Sequence, residues 1–281
     1  MGNSVEPKKS LSDLLTVIIP VYNEEKNLAA CLECMKELRH KVVVDSGSTD
    51  KTKDIALEHG CQFLEFKWNG HAPKKRTWAM RNCGVTTPWV MFLDADERMT
   101  EEFKNELAKV LPTTKHDKFW FTLNNWFMGR MLKHGDPMRK DYIVRYGHGE
   151  FEQIEEDGWS RLPIEMHEHI LIKGTEGEIK ARLEHHDKRP LSNYYVKHCD
   201  YADFEAHRYL SIKDWSVLTR REKIKYRLMR WKLFPLAYWF ASYILKGGFL
   251  DGAPGFYFAM NKFSYFTQMQ AKIIELGSLD C

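Results

Sequence analysis

A chain of 281 residues, 43% hydrophobic and 29% charged, has the material for a large folded core and lies outside the composition of disordered chains. Its formal net charge of +3 is too small to point to nucleic acid, and its basic residues crowd instead between Lys213 and Lys232, just ahead of an aromatic segment. The sequence has no run of about 18 apolar residues to span a bilayer and no apolar signal core in the polar start Met1 to Ser12; its six scattered cysteines fit a reduced cytosolic protein better than a disulfide framework.

In chain order, Leu15 to Val21 is a β-branched run that predicts a first buried strand, broken at Pro20 and followed by Tyr22-Asn23-Glu24. Asn23 is placed to cap a helix over Glu24 to Leu38, on which Leu28, Cys31, Leu32 and Met35 share one face. Cys31 and Cys34 lie inside that helix with no second pair to complete a zinc or redox set, so they read as packing. Lys41 to Val44 predicts a second strand, ending in Asp45-Ser46-Gly47-Ser48-Thr49-Asp50. There Gly47 permits a tight turn, and Ser48 or Asp50 can cap a helix over Lys51 to His59. Cys61 to Phe66 is a third strand, and the alternation of strand and helix predicts right-handed crossovers and a Rossmann-like parallel sheet. Neither the dinucleotide G-x-G-x-x-G nor a P-loop is present, so a nucleotide would be held in another way. Asp45 stands where an acid at a strand end reads a ribose or base edge, or else braces a turn.

Lys74, Lys75 and Arg76 open a helix carrying Trp78, Arg81 and Asn82 and ending near Gly84. Lys74, Lys75 and Arg81 have the donors to meet a diphosphate; the alternative is a solvated basic helix face. The apolar run Trp89 to Leu93 predicts a strand buried on both faces, and it stops in Asp94-Ala95-Asp96-Glu97. Ligands bind at the carboxyl end of strands in open α/β sheets, and Asp94 and Asp96 have the spacing to meet one hard cation. Asp96 and Glu97 also have the chemistry to cap the helix that follows, Thr100 to Leu111, which Pro112 stops.

From Phe119 the texture changes. Phe119 to Leu123 and Tyr142 to Tyr146 are aromatic and β-branched, separated by glycines and Pro137, and predict antiparallel strands. Glu165-Met166-His167-Glu168-His169 precedes the apolar strand Ile170 to Ile172; it departs from H-E-x-x-H, so it is no helical zinc pair. Leu183-Glu184-His185-His186-Asp187 is a second titratable cluster, and Tyr194 to Tyr209 reads as a helix. Arg220 to Lys232 is basic and amphipathic and runs into the apolar Leu233 to Leu245, interrupted by Pro235; then come the turn Gly247 to Gly252 and the aromatic-rich Pro254 to Phe266.

Four motifs in series, P-V-Y-N-E-E (Pro20 to Glu25), D-S-G-S-T-D (Asp45 to Asp50), A-M-R-N-C-G (Ala79 to Gly84) and D-A-D-E (Asp94 to Glu97), resemble those of the family-two inverting glycosyltransferases. The later His167-Glu168, His185-His186 and K-G-G-F-L-D-G (Lys246 to Gly252) are similar to the branch of β-1,4-glucosyltransferases that build the inner core of bacterial lipopolysaccharide. The resemblance implies a GT-A fold, α/β with a mostly parallel sheet and a C-terminal helical, amphipathic appendage. It implies a polar tail at 1–12, a catalytic domain at 13–215 (nucleotide-sugar half 13–111, acceptor half 112–215) and an amphipathic helical region at 216–281. It further implies a UDP-sugar donor and a divalent metal, Mg2+ or Mn2+. Pro20, Tyr22, Glu24 and Asp45 would hold uracil and ribose, Arg81 would lie near the nucleotide, and Asp94 and Asp96 would face ribose and metal. Glu168 matches the base, and His185, with His186 as rival, the histidine that completes the metal site. The Q-x-x-R-W of processive relatives becomes Arg227-Leu228-Met229-Arg230-Trp231 here; with no spanning segment, the expectation is a single transfer.

The expected partners are a nucleotide-sugar donor, a lipid-linked or surface-glycan acceptor and an anionic membrane surface, with a second copy of the chain as a further candidate and no nucleic acid. The expected location is the cytoplasmic face of the membrane, held peripherally: Lys223, Lys225, Arg227, Arg230 and Lys232 suit anionic headgroups, and Trp231, Phe234, Tyr238, Trp239, Phe240 and Tyr243 suit the interface. The alternative for these aromatics is packing against protein. Two other classes stay open at this point: a sugar nucleotidyltransferase, which would need a glycine-rich basic loop where this chain has Tyr22-Asn23-Glu24, and a non-catalytic sugar- or partner-binding module.

Overall fold

The computed structural model of the protein describes residues 10–69, 71, 73–152, 169–186, 191–212, 214–215, 218 and 220–279. These fall into two compact units, the first over 10–124, 138–152 and 169–186, the second over 125–137 and 191–279.

The first unit begins with a single turn of helix, α1 (Leu11–Leu14), that feeds β1 (Leu15–Val21), α2 (Leu28–Glu33), β2 (Lys41–Asp45), α3 (Thr52–Glu58), β3 (Gln62–Glu65), α4 (Lys75–Asn82) and β4 (Trp89–Phe92). β1 lies centrally, parallel to β2 on one side and β4 on the other, with β3 beyond β2. All of β4 and all but Pro20 of β1 are buried, which is why both read as unbroken apolar runs. β5 (Glu97–Arg98), α5 (Glu101–Val110), β6 (Lys118–Phe127), β7 (Arg130–Leu132), β8 (Met138–Arg145), β9 (Gly149–Phe151), β10 (Ile170–Ile172), β11 (Glu176–Glu178) and β12 (Leu183–His185) follow. The sheet runs β3-β2-β1-β4-β8-β6-β12-β5; β8 is antiparallel to β4 and to β6, β12 is antiparallel to β5, and β11 joins β6 in parallel. β9 and β10 form a small separate ladder. The expected α/β sheet is therefore present, with its parallel part carrying the acidic strand end and its antiparallel part where the aromatic strands were expected.

Two local readings change. The helix expected over Glu24 to Leu38 holds α-geometry only over Leu28–Glu33, with turns on either side. Asn23 does not cap it. With φ 54°, in the left-handed region that asparagine tolerates, it instead joins two loops: its Oδ1 accepts from the Thr49 amide at 2.8 Å, and its own N–H donates to Ser48 Oγ at 2.8 Å. Neither Asp96 nor Glu97 caps α5; Thr100 does, its hydroxyl accepting from the Phe103 amide at 3.2 Å. Cys31 is fully buried as a free thiol, and the Cys34 sulfur accepts from the Met99 amide, which fits packing.

The second unit is helical apart from the tip of β6 and β7. α6 (Leu191–Ser211) packs along α9 (Gly252–Leu279), with α7 (Arg220–Met229) and α8 (Phe234–Phe240) completing the cluster. A π turn (Ala241–Leu245) and a 3-10 turn (Gly248–Asp251) connect α8 to α9. Its core gathers Ala202, Tyr226, Met229, Phe234, Tyr265, Phe266 and Met269. The basic α7 is not wholly solvated. Glu222 is buried against Arg208 at 2.8 Å, and Lys225 reaches the fully buried Glu205 at 2.7 Å. Of the aromatics expected to face a membrane, Phe234 is buried and Tyr238 packs on Phe266 at 4.5 Å between ring centroids, while Trp231 and Phe240 are exposed. The expected division at 215/216 falls within this second unit. Among the described residues no helix is long and apolar enough to cross a membrane.

Candidate active site

The register Val21↔Asp45 brings the ends of β1 and β2 side by side, and β4 delivers Asp94 beyond its last strand residue on the other side of β1. Asp45 is buried and holds its own turn: Oδ2 accepts from the amides of Gly47 (3.0 Å) and Ser48 (2.9 Å), and Oδ1 from the Ser48 hydroxyl. Gly47 has φ 90°, so the turn needs glycine there. Of the two readings of Asp45, the turn brace is what these contacts show, and it stands at a strand mouth. Nearby, Glu24 accepts from the Asn27 side chain at 2.9 Å, Tyr22 is 56% exposed, and Pro20 is half-buried opposite Val44.

The basic helix divides by face. Lys75 donates to the carbonyl of Val21 at 3.0 Å, buttressing the end of β1. Arg76 turns inward, with Nη2 3.2 Å from Asp94 Oδ1 and its guanidinium over the Tyr142 ring. Arg81, the sequence candidate for the nucleotide, instead faces outward in a pair with Glu150 at 2.8 Å, and that partner holds its guanidinium above its ordinary pKa. A step of five residues on a helix rotates a side chain well away from the first, which separates Arg76 from Arg81.

The centre of the site is acidic and buried. Asp94 is held by Arg76 on Oδ1 and by the Lys140 ammonium on Oδ2. Lys140 also contacts Glu97 Oε1, and Glu97, wholly buried, turns its other oxygen to the Asp94 amide at 3.1 Å. Burial pushes the Glu97 carboxyl up, with Lys140 opposing. Burial would push the Lys140 ammonium down, but Asp94 and Glu97 override it and the group is held charged. Lys140 is the residue sequence reading missed. Its only signal is a lysine alternating with Met138, Tyr142 and Val144 on one otherwise apolar face of the strand.

Asp96 points elsewhere. β12 pairs antiparallel with β5 in the register His185↔Glu97, and the His186 amide donates to the Asp96 carbonyl at 2.8 Å. His185 Nε2 consequently lies 3.6 Å from Asp96 Oδ2. Burial would raise the Asp96 carboxyl, but the imidazole beside it holds it below the usual range; burial would lower His185, but Asp96 holds it up. His185 Nδ1 is buried and makes no hydrogen bond. Of the two adjacent histidines, His185 faces the carboxylate, whereas the ring of His186 pairs with Glu184 at 2.6 Å. Among the described residues no three His, Cys, Asp or Glu side chains gather as a ready metal cage. His169, in the H-E-H sequence, has its Nδ1 3.3 Å from Asp141 Oδ1, and Asp141 is paired with Lys118 at 2.9 Å. Glu168, His167 and Glu165, and the rival acid Asp187, lie outside the described residues.

The strand mouths of this open α/β sheet present a braced acid at the end of β2, basic residues on α4 and a D-x-D pair beyond β4, at the carboxyl ends where such sheets bind ligands. The chain belongs to glycosyl transferase family 2, whose family model matches residues 16–159, just over half of the sequence. Its fold is the GT-A fold, and it is a glycosyltransferase, which decides among the three classes left open by the sequence. The chain is 25% identical to the lipopolysaccharide core biosynthesis glycosyltransferase LpsC of Rhizobium meliloti (strain 1021), over 94% of this chain and 93% of that one. A crystal structure of S. aureus TarS 1–349 is similar at a TM-score of 0.44, with 16% identity over 94% of this chain and 92% of that one. Glucosyl-3-phosphoglycerate synthase from Mycobacterium tuberculosis, in complex with Mn2+, UDP-glucose and phosphoglyceric acid, is similar at a TM-score of 0.34, with 19% identity over 40% of this chain and 44% of that one.

Proposed function

We propose that the protein transfers a hexose from a UDP-sugar, with inversion, to a hydroxyl of a lipopolysaccharide-core or other cell-surface glycan. The observation that carries this reading is the division of labour at the end of β4: Asp94 is bound by Arg76 and Lys140, while Asp96 turns to His185. Asp94, fixed by two cations, is suited to position a donor ribose, and Asp45 on its braced turn is suited to the base or ribose edge. Asp96 and His185 fit a divalent metal in donor type, a carboxylate and an imidazole whose Nε2 faces it. That donor set favours Mn2+ over Mg2+. When bound, such a cation supplies Lewis-acid stabilisation of the leaving diphosphate. Lys75 stays close through Val21, and Arg81 reaches the nucleotide only by leaving Glu150. Glu168 takes the proton from the acceptor hydroxyl, a step worth about 10²- to 10⁴-fold.

The similarity to LpsC over nearly the whole chain supports a lipopolysaccharide-type acceptor. A peripheral position on the cytoplasmic face of the membrane is supported by the second unit, where Trp231, Leu233, Leu236, Phe240 and Leu245 are exposed alongside Arg227, Arg230 and Lys232. The test is product release from a panel of UDP-sugars with Mn2+, Mg2+ or chelator, with and without rough-type lipopolysaccharide. Metal-dependent UDP release that rises with acceptor is expected. UDP release unaffected by chelator would remove the metal from this reading, and no release from any UDP-sugar would remove the donor. Flotation with anionic vesicles at low and high salt tests the membrane position; protein that stays soluble at low salt overturns it.

A further inference from the structure

The Lys246 to Gly252 motif is not used by the chemistry above, yet the second unit is built tightly around it. Gly247 has φ 71° and Gly252 φ 68°, both in the region glycine favours. A Cβ on Gly248 would lie 2.9 Å from the Ser242 carbonyl oxygen, and one on Gly255 would lie 2.2 Å from the Gly248 carbonyl oxygen, so the turn seats against the π turn and the first turn of α9 without room for side chains. What the turn presents is Asp251. Its carboxylate is buried and accepts from the amides of Lys133 (3.0 Å) and His134 (2.9 Å) and contacts His134 Nδ1 at 3.0 Å. Asp251 thereby fixes the strand end that follows β7. The β6–β7 hairpin is itself closed by the two-residue turn Met128-Gly129, both at positive φ (51° and 73°), and Phe127 pairs with Arg130 across it. That is the type of turn whose twist matches the strands it joins, so Arg130 and Lys133 are presented from a stiff platform.

Between this hairpin and the motif lies a cavity of about 430 Å3, lined by Trp126, Arg130, Lys133, His134, Leu250 and Asp251 among others. Its size is that of a small-molecule site, for which roughly 300–1,000 Å3 is usual. Its charge is unbalanced. The one acid, Asp251, is consumed by the backbone and by His134, and among the described residues neither Arg130 nor Lys133 is in an ion pair. A Cβ on Gly252 would come within 3.3 Å of Arg130 Nη1, so glycine there leaves the guanidinium its space. Two cations without partners, an indole and a leucine in one cavity match a ligand with an anionic group and a compact body with both polar edges and apolar faces.

We infer that this cavity binds an anionic sugar, one bearing a phosphate or a carboxylate, and that it is an acceptor-recognition site held in the second unit. The assignment rests on the sugar-transfer reading only in calling the ligand an acceptor; the binding itself does not require the donor. Arg130 and Lys133 meet the anion, and Trp126 and Leu250 meet the ring.

The test is equilibrium binding to the intact protein, without nucleotide or metal, of glucose 6-phosphate, galacturonic acid, glucose and inorganic phosphate, read by ligand-observed NMR and calorimetry. The expected result is that both anionic sugars bind at least about tenfold more tightly than glucose and than phosphate. Arg130→Ala with Lys133→Ala should weaken them about tenfold or more, and Arg130→Lys with Lys133→Arg should retain most of the binding. Circular dichroism and thermal melting check that each variant is folded. Binding of the anionic sugars no tighter than glucose, or equal binding to the alanine variant, overturns the site; phosphate binding as tightly as glucose 6-phosphate overturns its assignment to a sugar. Because UDP release by the wild-type protein is measured separately, failure of the transfer reading and failure of this site are told apart.

Discussion

The ammonium of Lys140 lies 2.5 Å from both Asp94 Oδ2 and Glu97 Oε1, joining a half-buried acid to a wholly buried one. β8 thus neutralises the end of β4 from a neighbouring strand. Removing one partner of a buried ion pair leaves the other uncompensated, typically at a cost of about 3–5 kcal/mol. Lys140→Met is expected to destabilise the protein by an amount of that order, and Glu97→Gln in the same chain should recover part of the loss. Urea denaturation measures both. A cost below about 1 kcal/mol, the usual value of an exposed pair, would mean that the cluster contributes little to folding.

Asp96→Asn keeps the shape of the side chain but removes the charge that faces His185. The expected outcome is a folded protein whose sugar transfer falls at least about a hundredfold, on the scale of losing one strong electrostatic contact to a transition state, and whose donor affinity no longer responds to Mn2+. Calorimetry with UDP, with and without metal, separates this from misfolding. Retention of full, metal-responsive activity would exclude Asp96 as the metal ligand.

Glu168→Gln addresses the base. Since a base acts on the acceptor hydroxyl and not on the nucleotide, donor binding should hold while kcat falls by about 10²- to 10⁴-fold. A change within about threefold would move the role to Glu165 or Asp187.

His198 gives a pH dependence in the second unit. It stacks on Tyr194 with ring centroids 3.8 Å apart, its Nδ1 lies 2.9 Å from the Tyr194 carbonyl, and burial, with Lys262 and Lys197 adding repulsion, lowers its pKa to about 4. A depressed folded-state pKa means that the unfolded chain takes up the proton first as pH falls. Stability from this group is therefore complete above the ordinary histidine value of about 6.5, declines as pH drops toward about 4, and is lost below it. His198→Phe keeps a ring in place and removes the titration. Thermal melts from pH 7 to pH 4 should show wild type losing ground to the variant across that window; parallel curves would show that His198 titrates normally.

Much of the first unit was legible because a strand buried on both faces must be apolar throughout. The first strand was expected at Leu15 to Val21 and is found there, and the run from Trp89 located β4 and the acids beyond it. Asp45 and Asp94 follow from the same logic, since a parallel sheet presents its carboxyl ends to ligands. The short α2 was less legible: the apolar face of Leu28, Cys31, Leu32 and Met35 reports burial, and burial is met here by a six-residue helix followed by turns.

By itself, then, the sequence determined the alternation of strands and helices, the acidic strand end and, through four motifs in order, the family of the chain, because each of these is written in neighbouring residues. The tertiary structure alone decided which charges meet. Lys140 reaches Asp94 and Glu97 only because β8 lies against β4 in the sheet, and His185 rather than His186 faces Asp96 only because β12 pairs with β5 in one register and a slip of one residue would exchange them. Arg76 turns inward and Arg81 outward by the rotation of one helix. The contacts of Lys140 and His185 join residues far apart in the chain, and no local period or propensity encodes them; they are fixed by the pairing of strands in the sheet.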